Sequence, residues 1–446
     1  MVYPFGLMVA GATKSSTDRT EMELIPSFLK DDTSLYRKSV EGFFNEKTEG
    51  MITSYDIMQA DFKKLDMPDN AKINYHFESA WRDFVNNSEM PFYAYGLFFI
   101  NCPVSRQTVP LKMREFKAML YDKYDGSIDA MNRDLNSDFP AWHALNIRPQ
   151  VFLTRISMPN YSKFMRVYYD FKIKQPKNYR YYFSVEGFYK TIFLKALYTK
   201  DIDKYNAAHG TKYDSLTQVK LPRRYPEGSG FTKQQRKDWL DFTRNLLNVM
   251  WLRADQDSAP AFRKYLRAKY SNNIKVLNEL YGTKYDSFEQ IPLFDEPPLE
   301  GRQVVDWTSF IQGWRDPKNN KLHILPKDKL RIHSIEFMFR DHLMEKYGSL
   351  NRVNRELGTK FESTLDIFPP QRETHFYFIQ RHKNMLKWEF VKRNFVSVSD
   401  YILLHGRGVM NTFIYCGLAI FCALIVNPLA AYALSRYKPP SQYKIL

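Results

Sequence analysis

The longest apolar stretch of the chain lies near its C-terminal end. Residues Ile414–Val426 contain no charged or strongly polar side chain, and residues 410–434 lengthen the run with only a few polar groups. A membrane-spanning helix needs about 20 mostly apolar residues, and hydrocarbon forces such a run to pair its backbone internally. The pattern therefore predicts a transmembrane helix at residues 408–435. The alternative is a buried helix of a soluble protein, although core helices are seldom apolar on every face.

Both flanks of the large polar part of the chain carry membrane signals. Arg436, Lys438 and Lys444 follow the apolar run, and no acidic residue occurs after Arg407, so residues 436–446 are expected on the cytoplasmic side. Residues 1–12, MVYPFGLMVAGA, are apolar but too short to span, and they lack the features of a signal peptide. We interpret them as the end of a first transmembrane helix, in a chain that is a fragment; an ordinary apolar N-terminus is the alternative.

Residues 13–405, here called the large segment, contain no run long enough to span a membrane, so we expect them on one side of it. Helix-period patterns recur within this segment. Four stretches align on asparagines that are 72 to 76 residues apart: Asn132, Asn206, Asn278 and Asn354. Three of them have a glycine four residues later: Gly210, Gly282 and Gly358. Glycine at that place predicts a left-handed residue that ends a helix, and Asn136 takes the place in the first stretch.

These features predict an all-α fold in which helical repeats form the large segment. Each unit is expected to contain a helix, a second short helix, the left-handed residue and an aromatic side chain seven residues after the asparagine. We expect each asparagine to bond backbone in its turn, as Asn commonly does; a role in binding sugars is the alternative. Aromatic residues make up 16% of the chain, and core packing is their expected use rather than stacking on sugar rings.

Charge and motif content narrow the classes of function. The net charge of +16 permits an acidic partner, but no basic cluster or nucleic-acid motif is present, so we expect no nucleic acid partner. Three cysteines at this spacing form no disulfide framework or zinc site. No phosphate-binding loop or zinc-protease motif occurs. His375 and His382 could share a helix face, and we expect them at a surface or interface rather than at a metal.

The apolar run also carries a resemblance. NTFIYCGLAIFCALIVNPLAAYALSRYKPP resembles the second membrane helix of sugar-type ABC importer permeases, the maltose-transporter class; Asn411, Thr412 and Asn427–Arg436 carry the match. VYPFGLMVAGATKSS is similar, more weakly, to the end of the first helix in that family. The family's coupling loop, with its Glu-Ala-Ala signature, would follow two helices after the apolar run. The resemblance covers about thirty residues of the chain, and the large segment is then a domain-sized insertion that ordinary permeases lack.

The resemblance implies a multi-pass subunit of the plasma (inner) membrane that transports carbohydrate and is not itself an enzyme. Its partners would be ABC ATPase subunits, which bind the ATP, a second permease subunit and an extracytoplasmic substrate-binding protein. Residues 13–405 would be extracytoplasmic. No catalytic, cofactor or metal residue is expected in this chain, and Asn411 and Asn427 are candidates for polar contacts between membrane helices.

Two other functions stay open at this point. The first is a membrane-anchored extracytoplasmic binding or structural protein, in which the repeats are the functional part. The second is a glycoside hydrolase, because the phrase KY-x-x-I-x-x-LN-x-x-x-GT-x-Y-x-S resembles short stretches of some beta-galactosidase-type enzymes. Such an enzyme needs two carboxylates across a sugar, and Glu279 and Glu356 follow the repeated asparagines only in the last two units.

Overall fold

A computed structural model describes residues 2–103, 108–228, 230–399 and 408–437 of the chain. These residues are mostly α-helical, which confirms the all-α prediction. The helices are α1 (Val2–Ala12), α2 (Ser27–Lys30), α3 (Asp32–Phe43), α4 (Thr48–Tyr55), α5 (Tyr75–Asn87), α6 (Leu111–Lys123), α7 (Ile128–Leu135), α8 (Lys163–Lys174), α9 (Val185–Phe188), α10 (Lys195–Tyr198), α11 (Ile202–His209), α12 (Lys233–Asp241), α13 (Ala259–Lys269), α14 (Ile274–Tyr281), α15 (Gly301–Gln312), α16 (Ile335–Tyr347), α17 (Leu350–Leu357), α18 (Gln371–Arg381), α19 (Lys383–Ser399) and α20 (Gly408–Tyr437).

Short strands lie between some of these helices in the chain, and the sequence did not predict them. They are β1 (Tyr95–Leu97), β2 (Arg180–Tyr182), β3 (Leu252–Ala254), β4 (Trp314–Arg315), β5 (Leu322–His323) and β6 (Leu330–Ile332). They form three antiparallel pairs, β1 with β2, β3 with β6 and β4 with β5. Runs of two or three residues are too short to show the alternation by which a strand is recognised in a sequence.

The four predicted asparagines occupy equivalent turns. In each turn the Asn side chain donates to the backbone oxygen of the aromatic residue seven positions later and accepts from its N–H, as Asn354 does with Phe361 at 2.8 and 2.9 Å. A hydroxyl five residues on, that of Thr359 in this turn, also donates to the same amide oxygen. Corresponding bonds occur at Asn132, Asn206 and Asn278. Both ends of each amide are thus used inside its own turn.

The helix ends follow from the residues that take the left-handed conformation. Gly210, Gly282 and Gly358 have φ between 64° and 65°, and Asn136 has φ of 49°. A fifth helix pair, α3 with α4, ends in the same way at Asp56, whose φ is 50°. This pair has no asparagine signature in the sequence, because Ile52 stands where the other turns have asparagine.

The first and last parts of the large segment pack on each other. Helix α5 contacts α16, α17 and α18, and α18 also contacts α3 and α4. Asn74 donates to the backbone oxygen of Leu357 at 2.7 Å, which fixes one of these contacts. Tryptophans on three helices lie in the core with relative exposures of 0 to 1%: Trp81, Trp239 and Trp307. Burial of these large side chains is the main use of the aromatic residues, because each removes a large apolar area from water.

Candidate functional site

Helix α20 is the one helix among the described residues that is long and apolar enough to cross a membrane. The candidate span, Met410–Ala433, has a mean hydropathy of 2.1, and none of its most apolar window is buried by the rest of the chain. At 1.5 Å per residue its 24 residues give a length of about 36 Å, which exceeds a hydrocarbon core of about 30 Å. A core helix of this chain would be covered by other elements, so this exposure disagrees with the buried-helix alternative. Helix α1, with 11 residues, is too short to span.

The two polar candidates in this helix are both exposed on its surface. Asn411 and Asn427 are 16 residues apart, which places them about 160° apart around the axis of a helix with 3.6 residues per turn. A single partner helix can therefore contact only one of them. The helix continues through Pro428 to Tyr437, so the proline does not end it.

The N-terminal part of the chain lies directly beside α19, the last described helix before α20. The side-chain amide of Asn394 on α19 donates to the backbone oxygen of Ala12, the last residue of α1. Lys387 on the same helix donates to the backbone oxygen of Leu29 at 2.8 Å. Lys383 forms an ion pair with Asp32 at the start of α3. These bonds join the two ends of the large segment, and we call residues 12–18 together with α3 and α19 the junction.

Charged side chains hold the junction together in its interior. Glu41 on α3 accepts from the hydroxyl of Ser15 at 2.6 Å and from the backbone N–H of Ser16 at 2.9 Å. Lys38, one turn earlier, forms a 2.6 Å ion pair with Asp18, and both side chains are at most 5% exposed. Burial lowers the pKa of Lys38 to about 8, while the adjacent Asp18 carboxylate acts in the opposite direction. A buried charge needs such partners, so the loop after α1 has a defined position.

The sequence did not indicate these junction residues. Lys38 and Glu41 look like ordinary surface charges of an amphipathic helix, three residues apart. Lys38 and Glu41 are buried because the loop at residues 13–18 and helix α19 cover them in the junction. That loop and α19 are separated from each other by most of the large segment. No pattern within α3 could have identified that contact.

The prediction that His375 lies at a surface or interface is wrong. Its side chain is 4% exposed and lies among aromatic rings, where its Nδ1 is 2.7 Å from the hydroxyl of Tyr55. Burial lowers the pKa of His375 to about 3, so the ring is neutral at physiological pH. Its predicted neighbour His382 is partly exposed at the end of α18 and bonds the backbone oxygen of Phe378. Within the described ranges no group of three or more His, Cys, Asp or Glu side chains is arranged to hold a metal ion.

No known family model, curated protein or solved structure matches this chain. The resemblance to sugar-type permeases therefore depends on the residues of α20 and, more weakly, of α1. Any function must be argued from the geometry of α20, the junction and the large segment.

Proposed function

We propose that the chain is a permease subunit of an ABC-type importer in the plasma (inner) membrane, with carbohydrate as its substrate. In this proposal α20 is the second membrane helix, α1 is the end of the first, and residues 13–405 form an extracytoplasmic helical-repeat insertion between them. The subunit is multi-pass and binds no ATP. Its partners are the ABC ATPase subunits, a second permease subunit and an extracytoplasmic substrate-binding protein.

The observation that carries the proposal is the junction, taken together with the uncovered apolar helix α20 that follows it in the chain. The loop between two consecutive membrane helices starts and ends on the same face of the bilayer. The first and last residues of a domain inserted in that loop should therefore lie close together. The bond from Asn394 to Ala12 joins the end of α1 to the helix before α20. The phrase from Asn427 to Arg436 gives α20 its likeness to the permease helix.

The equivalent turns support a repeated architecture for the insertion. The asparagine bonds are the same at four places along the chain, and a fifth helix pair ends in the same left-handed conformation at Asp56. An extracytoplasmic insertion of this size would lie on the side of the membrane from which a binding protein delivers substrate. Docking that binding protein is the role we assign to it.

A second candidate is a single-span anchored extracytoplasmic binding protein. The observation that favours it is that α20 alone, among the helices the structure describes, is long enough to span. Both candidates place the large segment on the extracytoplasmic side of the membrane, and they differ in whether the chain works with an ATPase.

Topology can be tested by cysteine labelling in intact cells. Cys102, Cys416 and Cys422 would be replaced by Ser, and single cysteines introduced as Asp214→Cys, at an exposed position of the large segment, or Arg436→Cys, at the end of α20. A membrane-impermeant maleimide is expected to label position 214 directly and position 436 only after permeabilisation. Labelling of position 436 in intact cells, or recovery of the protein in the soluble fraction, would refute both candidates.

The two candidates are separated by their partners. If the chain is a permease subunit, an ABC ATPase and a second permease subunit should co-purify with it in defined stoichiometry. The full chain would be purified in detergent from its native membrane for this test. Reconstituted vesicles of that complex should take up a sugar only when ATP and the binding protein are present. A correctly oriented chain that purifies without an ATPase would favour the anchored binding protein.

A further inference from the structure

Residues 22–25, which lead into α2, form an exposed apolar segment that we call the apolar loop. Met22, Leu24 and Ile25 are 85, 48 and 54% exposed, so three of four consecutive residues are large apolar side chains that no described part of the chain covers fully. Single exposed apolar side chains are ordinary on a protein surface, whereas a contiguous group of them marks a contact with another molecule or with lipid. The apolar loop therefore needs an occupant to cover it.

The apolar loop folds back along α1. The side chain of Lys14, two residues after the end of α1, donates to the backbone oxygen of Glu21. The Glu21 carboxylate in turn accepts from the hydroxyl of Ser27 at 2.7 Å. A Cβ placed on Gly6 would lie 2.8 Å from Cδ2 of Leu24, so the Leu24 side chain packs directly against α1. These contacts hold the apolar loop beside the helix.

The contact with Gly6 sets the level of the apolar loop along α1. Gly6 is six residues before Ala12, the last residue of α1, which is about 9 Å at 1.5 Å per residue. The first charged residue after α1 is Lys14. In the proposed topology α1 is the end of the first membrane helix, so Leu24 lies about 9 Å towards the lipid from that end. Interfacial apolar segments are buried by about 5–10 Å at the boundary between headgroups and acyl chains.

The other end of the large segment exposes an apolar side chain near the end of α1. Asn394 on α19 donates to the backbone oxygen of Ala12, and the next residue, Phe395, is 40% exposed. Ser399 at the end of α19 is nine residues before Gly408 at the start of α20, so the two are at most about 32 Å apart. In the proposed topology the C-terminal part of α19 is thus kept close to the bilayer by α1 and by α20.

Charge does not account for a contact between the apolar loop and a membrane. Residues 13–31 contain three bases and four acids, so they have no net attraction for anionic headgroups. Glu23, the one charged residue of the apolar loop, forms an ion pair with Lys30 at 2.9 Å. The contact depends instead on the three apolar side chains, whose removal from water is favourable whatever the headgroup charge.

We propose that the apolar loop inserts into the extracytoplasmic leaflet of the lipid bilayer beside α1. Met22, Leu24 and Ile25 contact the acyl chains, and the ion pair of Glu23 with Lys30 stays at the level of the headgroups. The inference rests on the proposed topology, because it requires α1 to be the end of a membrane helix. It adds a third attachment besides α1 and α20, which fixes how the large segment sits on the membrane.

The test uses the full chain in nanodiscs of phosphatidylcholine. In the background with Cys102, Cys416 and Cys422 replaced by Ser, a single cysteine is introduced by Ile25→Cys and labelled with the fluorophore NBD. The emission of the label should be shifted to the blue, because the fluorophore lies in an apolar environment. Phosphatidylcholine that carries bromine on its acyl chains should quench it, because bromine quenches only a fluorophore close to those chains.

Leu280→Cys, labelled in the same way, is the matched control. Leu280 lies on α14 of the large segment and is 49% exposed, close to the 54% of Ile25, so the two labels differ in location rather than in exposure. The label at position 280 should emit as it does in water and should not be quenched by the brominated lipid.

Substitutions at Met22 test which side chains carry the contact. Met22→Asp should lower the quenching at position 25, because a carboxylate resists transfer into lipid, whereas Met22→Leu should leave it unchanged. Salt at about 1 M, which screens exposed charges, should also leave the quenching unchanged. Thermal melts of both variants check that the fold is kept.

Three results would overturn the inference. They are a label at position 25 that emits as in water, equal quenching at positions 25 and 280, and a blue shift at position 25 without quenching by the brominated lipid. The last would show that a second copy or another protein covers the apolar loop. If the labelling of positions 214 and 436 in cells follows the proposed topology while position 25 is not quenched, this inference alone fails. Labelling of position 436 in intact cells would remove the proposed function and this inference together.

Discussion

Lys172 on α8 is a buried cation whose titration should be visible in the stability of the whole large segment. Its side chain is 1% exposed, and its Nζ donates to the backbone oxygen of Phe92 at 2.6 Å. The ammonium also lies 4.6 Å from the centre of the Tyr95 ring. Burial, together with the nearby charge of Arg180, lowers the pKa of Lys172 to about 7. Among the described residues no carboxylate raises this pKa, so Lys172 has no neutralising partner within that part of the chain.

The sign and size of the effect follow from proton linkage. The ordinary pKa of lysine is 10.5, so above pH 7 the unfolded chain binds a proton at this site that the folded chain does not. Stability therefore rises with pH from about 7 to about 10.5, by about 1.4 kcal/mol per pH unit. The full difference is on the order of 5 kcal/mol. This is a large share of the typical stability of a domain.

The assay compares the wild type with Lys172→Met by guanidinium denaturation in detergent between pH 6 and 10. All seven tryptophans lie between residues 81 and 388, so their fluorescence reports on the large segment. Other titrating groups cancel in the difference between the two proteins. The free energy of unfolding of the wild type, relative to the variant, should rise steadily above pH 7.

Lys174→Met provides the control, because Lys174 is on the same helix but is exposed. Its difference from the wild type should be small and independent of pH. If the Lys172→Met difference is flat or falls with rising pH, the ammonium is not desolvated as described, and the reasoning is refuted.

Three further predictions concern the turns, the aromatic core and α20. Gly282→Ala should destabilise the chain by about 1–2 kcal/mol through backbone strain alone, because φ is 65° and the added Cβ would contact no described atom within 4 Å. Gly282→Asn should cost less, because asparagine tolerates the left-handed conformation better than alanine does, and thermal melts compare the two variants. His375 must stay neutral in the fold, so stability should fall as pH drops below about 6.5, and His375→Gln should reduce that acid sensitivity in denaturation curves at pH 4 to 7. Ile420→Arg in the middle of α20 should add about 3 kcal/mol to the cost of insertion and increase the fraction extracted by alkaline carbonate, while Ile420→Leu should not; equal extraction of the two would contradict a spanning role.

The local features of the fold were accessible from the sequence, and the long-range ones were not. The helix ends at Gly282 and its equivalents could be predicted, because glycine adopts the required positive φ without strain and the asparagine four positions earlier bonds only within its own turn. The corresponding end at Asp56 escaped, since a carboxylate there and Ile52 before it give no such signal. The burial of His375 depends on contacts with helices far away in the sequence. Periodicity shows that one face of a helix is buried but not which distant residues cover it.

The meeting of Ala12 and Asn394 has a consequence for how the chain can be divided. Because the two ends of the large segment are in contact, the residues between them form a unit that starts and ends at the same place. A few flexible residues could then join Ala12 to Asn394 without displacing α1 or the last turns of α19. Any other module whose own termini meet at a similar spacing could be spliced into the same position, so the large segment could be exchanged without altering the residues on either side of it.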